Sequence, residues 1–62
     1  MKVRDVIRRL LDDGWVKVSQ KGSHRQFKHP TKRGKVTVPG KFSDDLAEGT
    51  YRSILRQAGL KE

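Results

Sequence analysis

A chain of 62 residues with no cysteine and a net charge of +8 can be only a few kinds of protein. One domain spanning residues 1–62 is expected, burying about 60% of the surface its unfolded form exposes, with neither disulfides nor thiolate metal sites. No apolar run is long enough to cross a bilayer and no signal-peptide pattern precedes Asp5, so no membrane association is expected and the cytoplasm is the expected compartment. Seven of the fifteen basic residues fall between Lys17 and Lys35, a span without a single acidic residue. Such a concentration of positive charge attracts polyanions and gains free energy by releasing their counterions, which makes nucleic acid the expected ligand.

Val3, Val6, Ile7, Leu10 and Leu11 recur at three-and-four spacing, which predicts an amphipathic helix from about Lys2 to Asp13, ended by Gly14 and begun without a good side-chain cap. Trp15 to Lys21 alternates as a strand, with Val16 and Val18 on one face. Trp15, directly after a helix terminus in a chain with few large apolar residues, is expected in the core rather than under a nucleobase. Gly22-Ser23 is a turn, and His24 to Lys28 returns as the second strand of a hairpin. Alternation sets Arg25, Phe27 and His29 on one face and His24, Gln26 and Lys28 on the other. Phe27 marks the buried side, so His24 and Lys28 face outward. After a basic turn from Pro30 to Gly34, Lys35 to Val38 forms a third strand with Val36 and Val38 inward, stopped by Pro39-Gly40. Lys41 to Glu48 reads as a loop in which Phe42 and Leu46 pin the chain to the core. Gly49-Thr50 opens a final helix whose Tyr51, Ile54, Leu55 and Ala58 share a face, with Gly59 as its cap.

With the apolar face of each element turned inward, both helices cover one side of a three-stranded antiparallel sheet. This is an α+β two-layer sandwich in the order helix, three strands, helix, the architecture shared by double-stranded RNA binding domains.

The residues best suited to chemistry lie in the hairpin. Cleavage of RNA by its own 2′-hydroxyl needs a base, an acid and positive charge around the phosphorane. Histidine serves both proton-transfer roles near neutral pH. His24 is the catalytic candidate, flanked by Lys21, Arg25 and Lys28, and Gly22 permits positive φ and close approach of a phosphate. Lys21, Gly22, Ser23, Arg25, Lys28, Lys32 and Arg33 are the candidate RNA-binding residues. His29, on the side of Phe27 and just before Pro30, reads as structural. Two histidines without cysteine make a poor zinc site, Asp44 and Asp45 lack further carboxylates for magnesium, and no cofactor or metal is expected. Ser23 beside His24 has no orienting acid and is no triad.

Gly22-Ser23-His24-Arg25-Gln26-Phe27-Lys28-His29-Pro30, Val36-Thr37-Val38-Pro39-Gly40, and the block from Gly49 to Leu60 resemble the HicA toxins, mRNA interferases of toxin-antitoxin pairs. The resemblance covers nearly the whole chain. It implies a double-stranded-RNA-binding-like fold and metal-independent endonucleolytic cleavage of mRNA. It also implies a HicB-type antitoxin that covers the active site. The family's catalytic histidine falls on His24 and its turn glycine on Gly22. Many relatives carry a histidine just after the Pro-Gly pair where this chain has Lys41, so the second proton must pass through another group or water. The alternative reading is a non-catalytic module holding structured RNA through the basic hairpin. Direct DNA binding is not expected, since no helix-turn-helix pair is present.

Overall fold

The computed structural model describes residues 1–61; Glu62 lies outside the described residues. Helix α1 spans Val3–Asp12 and buries Val3, Val6, Ile7 and Leu10 along one stripe. Leu11, assigned to that stripe by its spacing, falls past its edge and is half exposed.

The first turn of α1 explains how it starts without a capping side chain. Four amide donors at a helix start have no partner within the helix. Here Val3 N–H donates to the Asp44 carbonyl at 2.9 Å and Arg4 N–H to the Phe42 carbonyl at 3.2 Å. The Asp5 carboxylate reaches back to accept from the Lys2 N–H at 3.3 Å. Leu46 N–H donates to the Met1 carbonyl at 2.9 Å, and Lys2 pairs with Asp45 at 3.1 Å. The segment that reads as a loop therefore closes the helix start with its own carbonyls. Leu46 packs against the core as expected, whereas Phe42 stays exposed.

Gly14 ends the helix with φ +101, and Trp15 N–H bonds back to the Leu10 carbonyl at 2.9 Å. That closure needs a left-handed residue, which glycine adopts without a steric cost. Helix α2, Glu48–Gln57, ends the same way: Gly59 has φ +70 and Leu60 N–H meets the Leu55 carbonyl at 2.8 Å.

Strands β1 (Val16–Lys21), β2 (His24–Lys28) and β3 (Val36–Val38) form one antiparallel sheet in that order. Arg25 pairs with Val38 and Phe27 with Val36, so these four share the face that meets the helices. Phe27, Val36 and Val38 join Trp15, the α1 stripe, Ile54, Leu55 and Ala58 in a single core. The two-layer α+β arrangement is the one the periodicities predict.

Strand β1 departs from that expectation. Val16 and Val18 do not turn inward; they are 57% and 53% exposed. Val16 pairs with Lys28, whose side chain lies on the open face, so Val16 points away from the helices. A β-bulge between Lys17 and Ser19 inserts Val18 as an extra residue. Strict alternation would leave Ser19 and Lys21 on the side of Lys17. The bulge instead pairs Ser19 with Gln26 and Lys21 with His24, carrying both onto the open face. Lys17 and Gln20 stand opposite Phe27 and Arg25 in the register, and Lys17 Nζ donates to Gln20 Oε1 at 2.9 Å.

Candidate active site

The hairpin turn presents the site. Gly22 has φ +58 while, among the described residues, no non-glycine residue has positive φ, the pattern of a type II′ turn with glycine first. Nothing lies within 4 Å of where a Gly22 Cβ would sit, so the backbone here is open to a ligand. His24 opens β2 directly after the turn, exposed on the side away from the helices, with Lys21 as its cross-strand partner. Both line a cleft of about 420 Å³ together with Ser19, Gln20, Gln26 and Thr37. Lys28 is exposed on the same side, four residues along β2.

The remaining candidates separate from this group. Arg25 is 6% exposed on the helix face. Its guanidinium donates to the Gly40 carbonyl at 2.6 Å and the Ser23 carbonyl at 3.3 Å, with the Phe42 ring stacked at 4.3 Å. Through the Ser23 carbonyl it ties the turn that carries His24 to the Pro39-Gly40 corner. Lys32 and Arg33 lie in the turn beyond the far end of β2. Arg33 is exposed, but the Lys32 ammonium sits on the Asp13 carboxylate and the Ala58 carbonyl, the latter at 3.1 Å. Lys41 does not line the cleft; its N–H donates to the Asp44 carboxylate at 3.0 Å.

His29 takes the structural place its sequence position suggests. Its Nδ1 accepts from the Thr31 and Lys32 backbone N–H groups at 3.1 and 3.2 Å, so Nε2 carries the hydrogen given to the Asp13 carbonyl at 2.7 Å. The ring stands edge-on to Trp15, with centroids 5.3 Å apart. A side chain at Gly14 would come within 2.9 Å of His29 Nε2, a second reason for glycine there.

Asp13 gathers this corner. The hydrogen bond from Lys32 holds its carboxyl below the ordinary value of 3.8; the Lys32 charge and the Trp15 indole N–H add to the effect, and partial burial opposes it. A carboxyl lowered on folding stabilises the protein fully above its unfolded pKa, and that contribution is lost as pH falls through the folded value. We expect Asp13→Asn to flatten the fall of thermal midpoint below about pH 4. Wild type and variant declining in parallel on acidification would refute this role.

The sequence reading overlooked Ser19, Gln26 and Thr37, which share the cleft with His24. Neutral polar residues on strands look like ordinary solvent-facing positions. The one available signal was Gln26 at the two-residue spacing from His24; Ser19 was hidden by the bulge.

The fold and site define a small α-β-β-β-α two-layer domain whose open sheet face is cationic and carries one exposed histidine. A family model described as "HicA toxin of bacterial toxin-antitoxin" matches residues 3–60, and the chain belongs to the HicA toxin family. Among solved structures, a chain of a "Toxin-Antitoxin complex from Streptococcus pneumoniae" is 31% identical with a TM-score of 0.79. The match covers 97% of this chain and 98% of that one. No curated protein sequence matches.

Proposed function

We propose that this chain is the toxin of a toxin-antitoxin pair and acts as a metal-independent endoribonuclease on mRNA, with His24 as general acid/base. The observation that carries this reading is the exposed His24 imidazole paired across the hairpin with Lys21 at the rim of an open cleft. In this mechanism His24 accepts the proton of a ribose 2′-hydroxyl as its oxygen attacks the adjacent phosphorus. The bond from phosphorus to the 5′-oxygen breaks, and that oxygen takes a proton from water. Lys21 and Lys28 meet the charge that grows on the phosphoryl oxygens. One fragment then ends in a 2′,3′-cyclic phosphate and the other in a 5′-hydroxyl.

The reading extends to a partner and a place of action. A HicB-type antitoxin covers the His24 face, and charge complementarity calls for an acidic surface on it. Among the described residues no helix is long and apolar enough to cross a membrane, and the cytoplasm is where mRNA would be met.

The test is incubation of purified protein with mRNA in excess chelator, followed by analysis of fragment ends. Cleavage that continues and leaves cyclic-phosphate ends is the expected result. RNA that stays intact, or is cut only after divalent metal is restored, would overturn the mechanism.

A further inference from the structure

The open face of the sheet is not chemically uniform. Cross-strand pairing lays three rows across it: Lys21 beside His24; then Ser19, Gln26 and Thr37 abreast on the three strands; then Val16 beside Lys28. The outer rows each carry a lysine. The middle row carries one carboxamide, two hydroxyls and no charge, and it lines the same cleft as His24 and Lys21. Along a strand one row lies about 7 Å from the next, the reach of a single nucleotide.

We infer that Ser19, Gln26 and Thr37 form a nucleobase subsite, holding a base next to the scissile phosphate while that phosphate lies at Lys21 and His24. The inference rests on the ribonuclease reading and gives that site a means of selecting sequence. Phosphate contacts fix register without reading sequence, so selectivity must come from groups that meet base edges. A carboxamide presents donor and acceptor side by side and pairs with complementary edges of a base, while hydroxyls adapt to either role. An uncharged row suits a base better than a phosphate, which the flanking lysines already attract.

Two further features favour this assignment. Gln20 engages its carboxamide within the hairpin, accepting from Lys17 and donating to the Gly22 carbonyl at 3.0 Å. Among the described residues the Gln26 carboxamide has no such partner and remains available to a ligand. The bulge at Val18 is what brings Ser19 onto this row, and bulges beside active sites commonly re-aim a side chain. Trp15 and Phe27 are buried, so neither offers a stacking surface here and the row must read base edges through hydrogen bonds.

The experiment maps cut sites in a random-sequence RNA pool by sequencing fragment ends for wild type, Gln26→Met and Thr37→Val, each first checked for native circular dichroism. Wild type should favour one base beside the cut by roughly tenfold or more, the discrimination a well-placed side-chain pair supplies. Gln26→Met should level that preference, and Thr37→Val should weaken it. In parallel, His24→Ala is titrated with short oligonucleotides differing at one position, with and without Gln26→Met, and the same base should bind best only when Gln26 is present. A wild type without base preference at any position beside the cut, or a preference unchanged in Gln26→Met, overturns the subsite. Should wild type leave the pool intact, the ribonuclease reading fails by itself. The His24→Ala affinities then decide the subsite, and equal affinities for all bases reject it.

Discussion

Replacing His24 with alanine is expected to slow RNA cleavage by between about a hundredfold and about ten-thousandfold, the range that a positioned acid or base contributes. The size of the effect follows from the surroundings of the ring. Lys41, just after the Pro-Gly pair, lies away from the cleft. His29 has both ring nitrogens committed to backbone groups at the other end of β2. No second imidazole is therefore placed to substitute for His24. The fold should be unaffected, because the side chain is exposed and surface substitutions usually change stability by no more than about 0.5 kcal/mol. RNA affinity should also largely persist, since Lys21 and Lys28 remain to meet phosphates. Single-turnover cleavage rates and anisotropy titrations at one fixed salt concentration measure the two quantities separately. Equal cleavage rates for wild type and variant would remove His24 from the chemistry and leave a binding module in its place.

The second large effect concerns stability. Trp15→Ala should cost about 3–5 kcal/mol, the usual loss when a large buried aromatic is truncated. A 62-residue domain has only roughly 3–9 kcal/mol in total at typical per-residue values, so the variant should be largely unfolded or close to it. Trp15 is 1% exposed, its indole N–H donates to the Asp13 carboxylate at 3.2 Å, and its ring meets His29 edge-on. Removing it loosens the junction of α1, β1 and the 30–35 turn together. Trp15→Phe, which keeps most of the apolar volume but loses the N–H, should fall between. Far-ultraviolet circular dichroism against urea checks the series, and a midpoint unchanged in Trp15→Ala would be incompatible with a core position.

Much of this was legible in the residues. The three-and-four spacing of Val3, Val6, Ile7 and Leu10, the Gly22-Ser23 turn and the Phe27-centred alternation place the helix, the hairpin and the outward His24 correctly. Those signals are local, and local periodicity fixes which side of an element is apolar. What stayed hidden depends on distant partners. Alternation sets Arg25 on the face of Phe27, but the partners that hold its guanidinium there and keep it from a phosphate, the Gly40 carbonyl and the Phe42 ring, lie far along the chain. Lys32 reads as an RNA-binding residue of a basic turn, yet Asp13 and Ala58 hold it. Val16 and Val18 have the pattern of an inward-facing strand, but Val16 pairs with the outward Lys28 and Val18 is the extra residue of the bulge. The bulge adds a shift in register that alternation cannot reveal, and with it the place of Ser19 in the cleft.

The exposed edge strand has a mechanical consequence. None of the six residues of β1 is buried, so hairpin pairing and the turn hold it in place without help from the apolar interior. Local opening costs least where few apolar contacts must be broken. One wall of the cleft, Ser19 and Lys21, can therefore swing away while β2 keeps His24 anchored through Phe27. A ligand laid across that wall would restrain it.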